Sequence, residues 1–209
     1  MRNLLVAVAA VGALAFAGAA NAALLDFTDS STPLSGTIDG VHYDVSATGG
    51  AITNSQAQDG NTCGTTDLAC EVDGLGVNDD EVSDMIKTGE SITIDFGQKV
   101  AITGIALLDL FQSYNGIEEA VITWDGGSFS IFGSEIVNSG ASGLATWIGS
   151  IITTSITFTA SNIFGDDGIN DFAVAALRVE AVPLPAALPL FLAGLAGLGF
   201  ARGRKRKAA

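Results

Sequence analysis

The chain has 209 residues and a formal net charge of −14, but most of its few cations lie at its two ends. Between residues 23 and 181, three Lys or Arg residues stand against 23 Asp or Glu residues, so this region carries 3 − 23 = −20. Such a charge repels nucleic-acid phosphates and anionic lipids and attracts divalent cations, which excludes a nucleic-acid-binding protein.

The first 22 residues have the pattern of a secretory signal peptide. Arg2 supplies a positive start, residues 4–19 are apolar, and Ala20-Asn21-Ala22 has the small-x-small form of a cleavage site. We therefore predict that residues 1–22 are removed and that residues 23–181 form one exported domain of ordinary size.

The exported domain has the composition of a β protein, because short runs rich in Ile, Val, Thr and Phe are separated by Gly, Asn and Asp. The predicted strands lie at 37–46 with a turn at Asp39-Gly40, and at 91–96, 99–110, 120–124, 128–132, 154–159 and 172–180. Asp125-Gly126-Gly127 predicts a tight hairpin, and 82–87 hints at a helical turn. The close spacing leaves no room for crossover helices and favours an all-β, antiparallel β-sandwich or jelly-roll-like ectodomain.

Two cysteines lie close together in a turn-rich part of the domain. In an exported chain, Cys63 and Cys70 are expected to form a disulfide that closes a short loop. The chain has too few thiols and histidines for a cysteine-based metal site.

Two acidic clusters suggest a calcium ion. The first contains Asp79, Asp80 and Glu81, and the second contains Asp166, Asp167 and Asp171. Carboxylates at short loop spacing are the ligands that Ca²⁺ needs, although neither cluster has the glycine of an EF-hand. The alternative is a solvated acidic loop that binds no metal.

Two dipeptides also resemble the arrangement in jelly-roll carbohydrate-binding modules. Asp26-Phe27 stands at the predicted start of the domain, and Asp171-Phe172 opens its last strand. The resemblance implies a structural calcium that joins the first strand to the last, with Asp26 and Asp171 among its ligands.

Catalytic motifs are absent, so we expect a protein that is not an enzyme. There is no G-x-S-x-G, H-E-x-x-H or Gly-rich phosphate loop, and His42, the single histidine, lies in a predicted strand where it would point at solvent beside Asp44. A glycosidase needs only two suitably spaced carboxylates, and Glu118-Glu119 is the first pair to test.

The C-terminal 28 residues have three parts. The motif Val182, Pro183, Leu184, Pro185 and Ala186 begins an apolar stretch that runs to Ala201, and five basic residues follow within 202–207. As a helix, 20 residues reach about 30 Å, the thickness of a bilayer core. We predict a single transmembrane helix whose basic end stays cytoplasmic, which places residues 23–181 on the far side of the membrane.

This tail resembles the VPLPA-CTERM group of the PEP-CTERM sorting family. The resemblance implies that an exosortase, a membrane transpeptidase, recognises Val182 to Ala186 and cuts near the motif, so that the chain is its substrate. It also implies a protein that is transiently membrane-anchored and then released or attached at the cell surface. An ordinary C-terminal anchor is the alternative.

Three functions agree with these features. The first is a non-catalytic surface or matrix protein that binds polysaccharide, the second a secreted glycan-active hydrolase, and the third a structural matrix component without a specific ligand. Exposure of Trp124 or Trp147 beside a groove would favour sugar binding, and their burial on sheet faces would favour the structural function.

Overall fold

The computed structural model describes residues 22–54, 63, 67–78, 82–83, 89–112, 116–136, 140–161 and 170–182. All the secondary-structure elements of these residues are β-strands. The described residues include no helix long and apolar enough to cross a bilayer. Residues Asn21–Ala181 form one compact unit. In chain order its strands are β1 (Ala23–Asp26), β2 (Ser35–Ile38), β3 (Val41–Thr48), β4 (Ile52–Thr53), β5 (Gly76–Val77), β6 (Val82–Ser83), β7 (Ser91–Leu108), β8 (Phe111–Gln112), β9 (Glu119–Trp124), β10 (Gly127–Phe132), β11 (Glu135–Ile136), β12 (Ala145–Ala160) and β13 (Asp171–Ala181).

Nine of these strands form one antiparallel sheet. Its central order is β1-β13-β7-β12-β9-β10, with the β2-β3 pair attached to β7 and β6 attached to β13. Two small pairs lie outside it: β4 and β5 are antiparallel, and β8 and β11 are parallel. The prediction of an all-β, antiparallel protein is therefore confirmed, with β8-β11 as a parallel exception.

Strand β7 belongs to both halves of the sheet. Its residues 91–95 pair with β3, whereas residues 100–108 pair with β13. Between these halves Asp95 accepts a hydrogen bond from the Gly97 amide, and residues 97–99 are all exposed. The sequence predicted separate strands at 91–96 and 99–110; the structure joins them, because β12 pairs with β7 on both sides of this irregularity.

The two halves of the sheet enclose a common core. Ile94 and Phe96 from the first half of β7 share one hydrophobic cluster with Val100 and Ile102 from the second. Strand β13 also contacts β3 and β9, to which it is not hydrogen-bonded, so the halves face each other. Period-2 alternation of apolar residues supplies the inward-facing side chains of both halves.

The predicted turns lie where the sequence placed them. Asp39 and Gly40 have φ angles of +47° and +80° and connect β2 to β3, as expected of a two-residue hairpin turn. Trp124 pairs with Gly127, so Asp125-Gly126 connects β9 to β10.

The helical turn predicted at 82–87 is not formed by its first two residues, which lie in a strand. Val82 and Ser83 form strand β6, which pairs with Phe172 and Asp171 of β13. The Val82 side chain is fully buried, so core packing decides its conformation. Residues 84–88 lie outside the described residues.

Candidate functional site: a groove on the outer face of the sheet

A groove lies on the half of the sheet formed by β1, β13, the second half of β7 and the first part of β12. Two rows of paired residues cross this half in that strand order: Leu24, Arg178, Gly104 and Ile148 form one row, and Asp26, Ala176, Ala106 and Thr146 form the other. All of these except Asp26 line the groove, whose volume is about 390 Å³.

Small residues make the floor of the groove. Gly104, Ala106 and Ala176 project little or nothing above the sheet, so the taller side chains around them form walls. Gly104 also permits a close approach, since a Cβ atom there would lie 3.2 Å from the Cδ of Arg178. The glycine therefore lets the arginine stem lie across the strand.

One wall is formed by residues 67–70, which end at Cys70 of the disulfide and are called the disulfide loop below. Asp67 and Leu68 line the groove, and the Asp67 carboxylate accepts an ion-paired hydrogen bond of 2.5 Å from Arg178. Both side chains are about half exposed, so they are available to a ligand as well as to each other. Arg178 and Lys99 are the Lys or Arg residues within the part of the chain that the structure describes.

The opposite wall comes from β12. Ile148 is 88% exposed, which is unusual for a large aliphatic side chain, and Thr146 is exposed beside it. Thr103 of β7 adds a second hydroxyl to the lining. The groove thus combines an apolar surface with a few hydrogen-bonding groups at its edges, as ligand sites do.

The two tryptophans pack with Phe129 rather than forming an open platform. The ring of Phe129 lies 5.0 Å from that of Trp147 in a stacked arrangement and 5.7 Å from that of Trp124 in an edge arrangement. All three side chains are partly buried against the core. Trp147 also lines the groove. It is therefore neither an exposed platform beside the groove nor a side chain fully buried on a sheet face.

Hydrogen bonds to β1 hold the disulfide loop in place. The predicted bond between Cys63 and Cys70 is confirmed. The Asp26 carboxylate accepts hydrogen bonds from the Ala69 amide at 2.8 Å and from both the amide and hydroxyl of Thr28. The Cys70 amide in turn donates to the Thr28 hydroxyl. Asp26 therefore positions the wall of the groove.

The structure does not bring Asp26 and Asp171 together. Asp26 pairs with Ala176, while Asp171 lies five residues earlier in β13 and pairs with Ser83, so the two aspartates are separated by about 17 Å along the strand.

The other predicted calcium ligands lie outside the described residues: Asp79, Asp80, Glu81, Asp166 and Asp167. Within the described parts of the domain, no three His, Cys, Asp or Glu residues are arranged to hold a metal ion. Of the sorting motif, Val182 is described and directly follows β13, whereas Pro183, Leu184, Pro185 and Ala186 are not described.

The carboxylates singled out for a hydrolase are buried and do not line the groove. Glu118 and Glu119 are each 7% exposed. Glu118 accepts a hydrogen bond from the Phe111 amide, and the backbone of Glu119 bonds to the side chain of Asn170. His42 is exposed and lies 2.9 Å from Asp44, as the sequence predicted.

Two groups outside the groove have shifted pKa values. Burial raises the pKa of Tyr43, whose hydroxyl donates a hydrogen bond of 3.1 Å to the Pro33 carbonyl. Hydrogen bonds from the Ser31 hydroxyl and amide lower the pKa of Asp29. Neither side chain is placed to act on a ligand in the groove.

Sequence reasoning missed the groove residues. Arg178 could have been noticed, because it is one of three cations in the whole of 23–181. Gly104, Ile148 and Asp67 gave no such signal, because they come from separate elements that only the sheet register brings together.

Comparison with known proteins identifies no family. No family model and no curated protein matches this sequence. The chain is similar to the solved structure of CpGH89CBM32-5 from Clostridium perfringens, in complex with GalNAc-β-1,3-galactose. The sequences are 22% identical, the match covers 44% of this chain and 66% of that chain, slightly less than two thirds, and the TM-score is 0.25.

Proposed function

We propose that this chain is an exported, non-catalytic surface or matrix protein that binds a neutral polysaccharide in the groove on the outer face of its sheet. The observation that carries the proposal is the groove itself, an open depression with an apolar floor and Arg178, Asp67, Thr103 and Thr146 around it. Sugar rings present apolar C–H faces and peripheral hydroxyls, which match such a lining.

The charge of the domain defines the class of polysaccharide. Residues 23–181 carry −20, so a polymer rich in uronate or sulfate is repelled. Arg178 is already paired with Asp67, which leaves little net positive charge for an acidic sugar. A neutral glycan avoids both penalties.

Affinity gel electrophoresis of the full-length chain tests this proposal. We expect retardation by a neutral polysaccharide, from a panel of β-glucan, galactomannan and starch, but not by alginate. Arg178→Gln should weaken the retarding interaction about tenfold, as the loss of one or two hydrogen bonds does. Lys99→Gln is the matched control, because it removes the same charge from a residue that does not line the groove.

The alternatives make different predictions in the same experiment. If no polysaccharide retards the chain, the binding proposal is contradicted and the structural function without a specific ligand is favoured. If the two variants lose affinity equally, the binding is a general charge effect. Release of sugar from a retained polysaccharide, abolished by Glu118→Gln or Glu119→Gln, would instead support a hydrolase.

We also propose that an exosortase-type transpeptidase sorts the protein through Val182 to Ala186. The resemblance of the tail supports this, and β13 ends at Ala181, so the motif follows the folded domain without a linker. The proposed pathway is export through the inner membrane, transient anchoring by a single transmembrane helix, and location at the surface or outside the cell. Mass spectrometry should find a mature start at Ala23 and an end near Pro185; an intact chain in the membrane fraction would support the ordinary anchor.

We further propose that the domain is a sandwich of jelly-roll type and that it binds a calcium ion. A common core between two facing halves of the sheet supports a sandwich of jelly-roll type. The candidate calcium ligands are Asp26 and the acidic clusters at residues 79–81 and 166–171. Calcium should raise the melting temperature more than NaCl of equal ionic strength; an equal effect of the two salts would show that no specific site exists.

A further inference from the structure

The first part of β12 is an edge of the sheet. Residues 145–153 pair with β7 on one side, and β9 pairs only with residues 156–160. Among the described strands, none pairs with the other side of 145–153. Thr146, Gly149 and Ser150 are exposed, so their outward backbone groups are accessible to another strand, whereas Ala145 and Thr153 at the two ends are buried.

This edge lacks the charges that usually protect edge strands. Residues 136–165 contain no Asp, Glu, Lys, Arg or Pro, although the domain carries −20. Ile148 and Ile152 are 88% and 55% exposed. A bulge between Ile148 and Ile151 bends the strand, but an uncharged edge with two exposed isoleucines is of the kind that pairs with further chains.

We propose that two copies of this chain pair antiparallel along residues 145–153 of β12, extending the sheet across a two-fold axis. Charge favours a second copy as the occupant. Two domains of this acidity repel each other elsewhere, whereas residues 145–153 bring no carboxylate of their own to the contact. The nearest carboxylates lie at the two ends of the segment, where Asp125 accepts a hydrogen bond from the Thr153 hydroxyl and Glu135 accepts one from the Leu144 amide.

The strand is also complementary to itself. With the two-fold axis at Ser150, antiparallel pairing sets Ile148 opposite Ile152 of the partner subunit, and the reverse pair follows by symmetry. Exposed isoleucines thus cover each other in two cross-strand pairs, which are stabilising contacts in a sheet.

The size of the contact sets its expected strength. Nine paired residues extend about 30 Å and bury roughly 300 to 400 Å² per copy, less than the ~800 Å² per partner of a standard stable interface. The dimer should therefore be weak and dependent on concentration. It should also strengthen with salt, since ions screen the repulsion between the two domains.

Cysteine cross-linking tests the register. Ser150→Cys in the full-length chain places a thiol opposite its own copy at the axis, and the native cysteines are already paired. Ser128→Cys is the control, because Ser128 is an exposed serine on β10, the edge of the other half of the sheet. After oxidation, non-reducing gels should show a disulfide-linked dimer for Ser150→Cys and little for Ser128→Cys; equal yields would overturn the proposal.

Sedimentation of the purified full-length chain, in nonionic detergent and without polysaccharide, tests whether Ile148 and Ile152 lie in the dimer contact. The dimer fraction of the natural chain should rise severalfold between 20 mM and 500 mM NaCl. The double variant Ile148→Glu, Ile152→Glu should stay monomeric, and Ile136→Glu, which changes an isoleucine 65% exposed on β11, should dimerise normally. A natural chain that is monomeric in all conditions, or a double variant that still dimerises, would overturn the proposal.

Discussion

At the scale of single residues, a buried asparagine connects the start of β9 to the residue that follows β12. Asn170 is fully buried, and its amide group donates hydrogen bonds to the carbonyls of Glu119 and Ser161 while its oxygen accepts from the Glu119 amide. The Glu119 carbonyl also accepts from the Ser161 amide, so the Glu119 amide is the buried group that depends most on Asn170, and burying it without a partner is costly. Asn170 therefore adds side-chain hydrogen bonds between the start of β9 and Ser161, the residue that follows β12.

We expect Asn170→Ala to lower the free energy of unfolding by about 2 to 4 kcal/mol, because it removes three hydrogen bonds and takes the side-chain partner from the Glu119 amide. Urea unfolding followed by circular dichroism measures the change. Gln112→Ala, at an exposed position, is the control and should stay within about 0.5 kcal/mol of the natural chain. Similar stability of both variants would show that water replaces the Asn170 amide.

The raised pKa of Tyr43 predicts how the stability of the domain changes at alkaline pH. Its pKa is raised by burial above the usual value of about 10, so the folded state favours the neutral phenol. The associated stability is fully present below about pH 10 and is lost as the pH rises through the raised pKa.

Comparison with Tyr43→Phe isolates this effect. At pH 7 the variant should be less stable by about 1 kcal/mol, since it lacks the hydrogen bond to Pro33. Above pH 10 this difference should shrink or reverse, because phenylalanine cannot ionise. Urea unfolding at pH 7 and pH 11 measures both values, and a constant difference would contradict the proposed linkage.

At the scale of elements, local sequence explains the short hairpins better than the long strands. Asp39-Gly40 and Asp125-Gly126 place φ-permissive residues between apolar runs, and both hairpins form as predicted. The 18 residues of β7 were predicted as two strands, at 91–96 and 99–110, and the structure joins them through the exposed residues Gly97 and Gln98. Its continuity comes from β12, which lies far away in the chain.

The disulfide loop is the element that builds one wall of the groove. We expect the double variant Cys63→Ser, Cys70→Ser to lose about 2 to 3 kcal/mol of stability, because the bond closes a short loop in the unfolded chain. If the loop also positions Asp67, the variant should bind polysaccharide more weakly at temperatures where it is fully folded. Unchanged melting after loss of both cysteines would contradict this account.

At the scale of the whole molecule, charge is the dominant property. A domain with −20 between residues 23 and 181 repels itself when compact, and the ion pair of Arg178 with Asp67 offsets only a small part of this charge. The hydrophobic core between the halves of the sheet must offset this repulsion.

We therefore expect the melting temperature to rise by several degrees between 10 mM and 300 mM NaCl, since the Debye length falls from about 30 Å to well below 10 Å. Differential scanning calorimetry measures this shift. An uncharged osmolyte of equal osmolality should not reproduce the salt dependence, and a melting temperature independent of salt would contradict the repulsion argument.

The amino-acid sequence by itself determined the β class, the hairpin turns, the Cys63-Cys70 bond and the acidity of the domain. These follow from local patterns, such as period-2 alternation, turn residues and charge counts, which need no knowledge of strand neighbours. The orientation of His42 beside Asp44 was predictable for the same reason.

Only the tertiary structure decided the groove, the open edge and the role of Asn170. Leu24, Gly104, Ile148 and Arg178 lie on four strands, and the register of antiparallel pairing alone places them in one row. The same register separates Asp26 from Asp171. The sequence had suggested that these two aspartates bind one calcium ion. Strand order depends on packing between residues distant in the chain, and a one-residue change of register would move every side chain to the other face.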